Sequence, residues 1–372
     1  LPALPLTPVI LDQTCREQIS AAGPAAFPTI SPETVCTFLY TSGTTGQPKA
    51  VMLTHANLFA NVIAMDAVSD FGREDNFLAV LPMFHSFGWT TSVLLPLYLG
   101  STITILDRFM PKEVLQVLSE EKVTIFCGVP SMFSLMLKLR RTLPFPRQIY
   151  AFSGGDSIRP EHLKEFENKF NIPIIEGYGL SEASPLVTLN PIKGLRKVKS
   201  IGIPLPGVEV RIIDEENLDL PPGEVGELIV KGPNVMKGYY NRKEETAAAL
   251  RDGWLHTGDL GYRDEDNYLY LVGRKKELII TAGFNVYPRE IEEALEEFPA
   301  VAEAAVIGVP HPVKGEAIKA YIRPEEGQKL DRQELLRFLK NRLANYKIPE
   351  TFVFTDDLPR GASGKILKRL LK

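Results

Sequence analysis

The sequence predicts an α/β fold: a largely parallel sheet, then an antiparallel, barrel-like stretch, then a small α+β C-terminal domain. Three observations carry this. Between residue 35 and about residue 190, apolar runs of strand length alternate with helical stretches, the pattern of a parallel sheet covered on both faces. Near residue 200 the pattern changes to alternating segments split by Pro, Gly and Asp turns, which suits antiparallel strands. After Gly273 strand-like and amphipathic helical segments mix to the end of the chain. The 372 residues fit two or three domains. We divide them into residues 1–272, with an α/β part (35–195) and a barrel-like part (196–272), and residues 273–372.

Residues 1–34 hold six prolines and read as a linker or strap. VCTFLY (Val35–Tyr40) is a β-rich run, and AVML (Ala50–Leu53) follows as a second short strand. Thr54 is a plausible N-cap for a helix whose apolar residues recur at Leu58, Val62 and Met65. FLAVLP, STITIL, VTIFCGVP, QIYAFSGG and IPIIEGYG are the expected parallel strands. VEVRII (Val208–Ile213), GELIVKG (Gly226–Gly232) and YLYLVG (Tyr268–Gly273) are the expected antiparallel ones. A helix is expected from Pro288, with Ile291, Ala294, Leu295 and Phe298 on one face. AEAAVIGVP and AIKAYIRP read as strands. Asp331 with Glu334 makes a capping-box-like start for a helix carrying Leu335, Leu339 and Leu343.

Composition excludes several classes. Lys plus Arg total 42 against 46 Asp plus Glu, a net charge of −4, with no basic block to track a nucleic-acid backbone. No apolar run approaches the ~20 residues that span a bilayer. Cys15, Cys36 and Cys127 are far apart and show no C-x-x-C spacing. That argues against a disulfide framework or structural zinc and suits a reducing, cytoplasmic setting.

The densest chemistry lies in Thr41-Ser42-Gly43-Thr44-Thr45-Gly46-Gln47-Pro48-Lys49, directly after a strand. Glycines let a backbone approach an anion closely, hydroxyls and N–H groups donate to phosphate oxygens, and Lys49 adds positive charge. A solvated turn is the bland alternative, which so many specified residues make poor. The segment is not a Walker loop, because Pro48 intervenes and a strand follows. Gly179-Leu180-Ser181-Glu182-Ala183 also nears the G-x-S-x-G nucleophile elbow, but lacks its last Gly.

TSGTTGQPK resembles the phosphate-binding signature of the adenylate-forming enzymes, the superfamily of acyl- and aryl-CoA synthetases, peptide-synthetase adenylation domains and beetle luciferases. PMFHSFG, SGGDS, EGYGLSEAS, GELIVKGPNVMKGYY, WLHTGDLGY, GRKKELIITAGFNVYPREIE and PRGASGKILKR follow in the family's order, from residue 35 to the end. The resemblance implies a two-step reaction. A carboxylate attacks the α-phosphate of ATP to give acyl-AMP and pyrophosphate, and the thiol of coenzyme A then displaces AMP. It further implies a Mg²⁺ ion on Glu182 and Thr41, and Ser181 near the α-phosphate. Gly155, Glu176, Gly177, Tyr178 and Gly179 would shape the adenine site, with Tyr178 stacked on the base. Asp259 and Arg274 would hold the ribose, Lys276 would be the domain hinge, and Lys365 would reach the bridging oxygens during adenylation. Gly283 would line the thiol path. His85 either flanks the carboxylate site or packs beside Phe84 and Phe87. For Tyr178 the plain alternative is a core tyrosine, for Asp259 a turn residue, and for Lys276 a solvated linker lysine.

Phe84-His85-Ser86-Phe87 carries no acid to pair with a substrate ammonium, and FCGVPSMF (with Gly128) and FGWTTSVLL are apolar. These features resemble fatty-acyl-CoA synthetases of medium or long chain preference, with an aryl acid or a nucleotide-binding remnant without full turnover as alternatives. Relatives carry a longer segment ahead of the phosphate loop, whereas 40 residues precede Thr41 here. We therefore expect either a fragment or a short form. The apolar surface so left would invite self-association or a missing N-terminal polypeptide.

Overall fold

The computed structural model describes residues 17, 20, 21, 29–41, 48–361 and 366–371. The stretches Ser42–Gln47 and Ala362–Lys365 lie outside these described residues.

A seven-stranded sheet forms the first layer. Its order is Thr102–Ile105, Asn76–Ala79, Ile125–Gly128, Tyr150–Ser153, Ile174–Gly179, Leu186–Leu189, Ile203–Pro204. The first five strands run parallel and the last two antiparallel. Every residue of the central Ile125–Gly128 strand is buried, because helices cover both faces of a parallel sheet. Phe126, Phe133, Phe166 and Met136 pack on one face, and Phe77, Ile125 and Cys127 belong to the core on the other.

The helix His55–Asp66 starts where its cap dictates. Thr54 Oγ1 accepts from the Asn57 N–H at 3.1 Å, and Asn57 Oδ1 accepts from the Thr54 N–H at 3.0 Å. This reciprocal pair satisfies two amides that the first helical turn leaves open. Helix Arg332–Lys340 is capped by Asp331, which accepts from the Gln333 and Glu334 N–H groups.

Val35–Thr41 and Lys49–Thr54 do not join the parallel sheet. They form an antiparallel hairpin, and Gly238–Tyr239 adds to it as a third strand. Trp254–Arg263, which holds the WLHTGDLGY motif, is a strand of ten residues at the centre of the barrel-like sheet, flanked by Gly226–Lys231 and Leu269–Arg274.

Beyond Arg274 a second five-stranded sheet (Ile279–Thr281, Phe284–Val286, Val301–His311, Gly315–Pro324, Thr351–Phe354) packs under the helices Pro288–Glu296 and Arg332–Lys340. Its core holds Ile291, Leu295, Val306, Ile318, Leu335 and Leu339.

Candidate active site

The carboxyl ends of parallel strands are where open α/β sheets bind ligands. A cavity of about 1060 Å³ opens there. Its polar wall includes Thr41, Lys49, Ser153, Gly155, Ser181, Glu182, Tyr239, Thr257 and Arg274, and Lys276 lies at its mouth. The small domain closes it with Val306, Gly308, Gly361, Ile366 and Lys368. The residues on both sides of Ala362–Lys365 thus border the cavity, while Lys365 itself lies outside the described residues, as do Ser42, Gly43, Thr44, Thr45 and Gly46.

Strand alternation divides the EGYGLSE segment. Gly177 and Gly179 line the cavity. A Cβ on Gly179 would come within 2.1 Å of the Pro185 carbonyl oxygen, so the close approach of Leu186–Leu189 requires glycine. Glu176 and Tyr178 project from the other face, since side chains alternate along a strand. Tyr178 is only 7% exposed and belongs to the core. Its hydroxyl donates to Asp259 Oδ2 at 2.6 Å. The tyrosine expected to stack on adenine thus has its ring largely enclosed and its hydroxyl on Asp259, and neither residue lines the cavity itself.

Asp259, 4% exposed, is held twice. Tyr178 takes one oxygen, and Arg274 Nε donates to the other at 2.9 Å. Strand register makes this second contact, because Asp259 and Arg274 are partners across neighbouring strands. A carboxylate fixed in this way keeps further lone pairs for vicinal hydroxyls. Burial and the Asp259 charge push the Tyr178 phenol well above its usual range, so it acts as a neutral donor. Burial opposes the Arg274 charge, yet Asp259 leaves it more basic than usual. Lys276 is shifted down by burial and by Arg274 beside it. Its neighbour Lys275 donates to the buried Glu227 at 3.1 Å.

Glu182 lines the cavity. It accepts from the Tyr239 hydroxyl at 2.9 Å, and Lys49 Nζ sits 5.1 Å from the Tyr239 ring centroid. Tyr239 carries no role in the sequence reading. Its place within GELIVKGPNVMKGYY, between two functional charges, is visible only once Gly238–Tyr239 pairs with Lys49–Thr54. Ser181 Oγ lies 3.3 Å from Ser86 Oγ. His85 borders the cavity, and its Nδ1 accepts from the Phe87 N–H. Phe84 is 76% exposed, and Phe87 packs its ring 3.4 Å from where a Gly154 Cβ would stand.

Three expected residues stand elsewhere. Glu176 is buried behind the nucleotide loop, with Oε1 accepting from the Ile158 N–H at 3.3 Å, and burial pushes its carboxyl up to about 7. Gly128 does not border the cavity, because its Cα faces the Phe133 ring, 3.1 Å from an added Cβ. Gly283 sits at an exposed hairpin tip with φ +82° and nothing within 4 Å of an added Cβ.

Among the described residues no three His, Cys, Asp or Glu side chains gather as a metal site. One carboxylate (Glu182) and one hydroxyl (Thr41) at the same cavity nonetheless fit Mg²⁺, which keeps few protein ligands and completes its shell with phosphates and water. No helix among the described residues is long and apolar enough to cross a membrane.

Comparison with known proteins agrees with this geometry. Residues 5–240 match the family described as AMP-binding enzyme, and residues 290–365 match the AMP-binding enzyme C-terminal domain. The chain belongs to this family, and its fold is that of the adenylate-forming enzymes. It is 43% identical over 350 residues to a long-chain-fatty-acid–CoA ligase of Bacillus subtilis (strain 168), covering 92% of this chain and 62% of that protein. It is 39% identical over 345 residues to a feruloyl-CoA synthase of an Amycolatopsis species, covering 90% and 68%. The chain thus spans less than two thirds of the first relative's length. ATP-bound MatB from Rhodopseudomonas palustris superposes with a TM-score of 0.88 at 35% identity, over 96% of this chain and 71% of that one. The apo form of MatB, at the same identity and coverage, gives 0.75.

Proposed function

We propose that the protein activates a carboxylic acid, of the fatty-acid class, with ATP and transfers the acyl group to coenzyme A. The observation that carries this reading is one cavity with two kinds of wall. The nucleotide residues above occupy one part, and Met65, Phe71, Phe77, Leu95, Ile125 and Phe152 line a continuous apolar part. An uncharged acyl chain suits that lining, and no acid among Phe84–Phe87 offers to pair with an ammonium. The name of the Bacillus relative supports the fatty-acid class. The ring cluster of Phe71 with Phe77 and Phe152 favours an aryl acid as the second reading.

In the first half-reaction a carboxylate oxygen bonds to the α-phosphorus and the bond to the β-phosphate oxygen breaks, releasing pyrophosphate. Both reactants are anionic, so the site must neutralise charge while holding them in line. Asp259, braced by Tyr178 and Arg274, would accept from the ribose hydroxyls. Lys49 and the loop from Thr41 would face the phosphates. Glu182 and Thr41 would hold Mg²⁺, which supplies charge neutralisation between phosphate oxygens. Lys365 would add its charge at the bridging oxygens. In the second half-reaction the thiol sulfur bonds to the acyl carbon and AMP leaves, after rotation at Lys276 brings Gly283 to the thiol path. Separate assays of pyrophosphate release and of thioester formation from supplied acyl-AMP test the reading. A folded protein that binds no AMP or acyl-AMP analogue would overturn it.

A further inference from the structure

The small domain meets the large one through a polar contact that the reaction chemistry leaves unused. Arg289, in the first turn of helix Pro288–Glu296, donates through Nη2 to Ser157 Oγ. Ser157 follows Gly154 and Gly155, which line the cavity. Through Nε the same arginine donates to Glu293 Oε1 at 2.9 Å, one helical turn on. The other oxygen of Glu293 accepts from Lys199 of the large domain at 3.2 Å. Large-domain residues thus grip one small-domain helix at two places, and Glu176 backs the grip by accepting from Ile158 N–H.

All four side chains are at least partly solvent-exposed, so each ion pair alone is weak. Their arrangement gives the clasp its meaning. Arg289 and Glu293 travel with the small domain, while Ser157 and Lys199 stay with the large one. A rotation at Lys276 therefore breaks both grips at once. The chain superposes on ATP-bound MatB with a TM-score of 0.88 and on apo MatB with 0.75.

We propose that Ser157, Lys199, Arg289 and Glu293 form a positioning clasp, made only in the adenylating arrangement, that ties the Gly154–Gly155 nucleotide loop to the small domain. Its kinetic consequence rests on the ligase reading; its structural content does not. The clasp selects the arrangement in which Gly361 and Ile366 border the cavity, and its release precedes the thiol step.

Hydrogen exchange of the whole protein tests it without turnover. Arg289→Ala should speed amide exchange about tenfold across residues 153–160, the size expected for a lost hydrogen bond to a charged group, while the global unfolding temperature stays put. Lys199→Glu should speed exchange there too, whereas Lys199→Arg, which keeps the charge facing Glu293, should leave it close to the parent's. Unchanged exchange in Arg289→Ala, or Lys199→Arg no better protected than Lys199→Glu, would overturn the clasp. Where acyl-AMP formation is measurable, Arg289→Ala should slow it about tenfold and leave thioester formation from supplied acyl-AMP within twofold. Equal slowing of both half-reactions would overturn the coupling. If no acid is activated at all, the ligase reading fails and the exchange result still decides the clasp.

Discussion

Replacing Tyr178 by Phe keeps the buried ring and deletes only the hydroxyl that donates to Asp259. The contact is short, 2.6 Å, and both residues are under a tenth exposed. A buried hydrogen bond to a charged acceptor contributes ~1.5–3 kcal/mol. Asp259 keeps Arg274, but that side chain is nearly half exposed, so its attraction is screened and covers only part of the loss. A net cost of about 2 kcal/mol follows, which for a domain of this size lowers the unfolding midpoint by about 4–8 °C. With one of its two braces gone, the Asp259 carboxylate is less well aimed. About 1 kcal/mol of lost binding makes AMP bind about fivefold more weakly. Calorimetric titration with AMP and thermal unfolding measure both quantities on one sample. If Tyr178 serves only as an aromatic platform, Tyr178→Phe should bind AMP and unfold like the parent, and that result would refute the account of Asp259.

Four further outcomes are expected. Lys365→Ala should slow acyl-AMP formation by ~10²–10³, the usual effect of losing one preorganised charge contact, with thioester formation from acyl-AMP nearly unchanged. Gly283→Trp should show the reverse in the same paired assays. Glu182→Gln should weaken ATP binding in the presence of Mg²⁺ about tenfold or more while leaving AMP binding close to normal, as titrations with each nucleotide would show. Glu176 sets a pH dependence whose sign is fixed by burial. Its folded carboxyl titrates near 7 rather than 4.5, so the folded protein holds a proton that the unfolded chain has released, and stability falls as pH rises between those values. Glu176→Gln should therefore be more stable than the parent by about 3 kcal/mol at pH 8. That advantage should vanish below about pH 4.5 in denaturant titrations.

The parallel strands and both capped helices were legible because their signals are local. Apolar runs, Thr54 ahead of an amphipathic stretch and Asp331 before Glu334 each act within a few residues. Val35–Tyr40 and Ala50–Leu53 are strands as their composition suggests, but the third strand of their sheet, Gly238–Tyr239, lies far along the chain and leaves no pattern near them. The site's finer contacts are non-local as well. Tyr178 reaches Asp259 across 81 positions and Glu182 reaches Tyr239 across 57, so neither pairing leaves a pattern within either motif. Glycines at 177 and 179 were assigned to the nucleotide, and packing against Leu186–Leu189 gives them a second requirement that spacing alone does not show. Lys199 looks like an ordinary loop residue until the small domain docks, and SGGDS marks Ser157 without any hint of a partner in the small domain.

The central claim is that one cavity joins a nucleotide site to an apolar acyl site. Acid-dependent exchange of labelled pyrophosphate into ATP tests it most directly, because it reports acyl-AMP formation without coenzyme A. With Mg²⁺ present, the account predicts exchange that rises with octanoate or palmitate well above the acid-free rate and above that given by a panel of amino acids. Exchange driven better by amino acids than by either fatty acid would contradict the acyl assignment. No exchange with any carboxylic acid, from protein that binds ATP, would contradict the joined site itself.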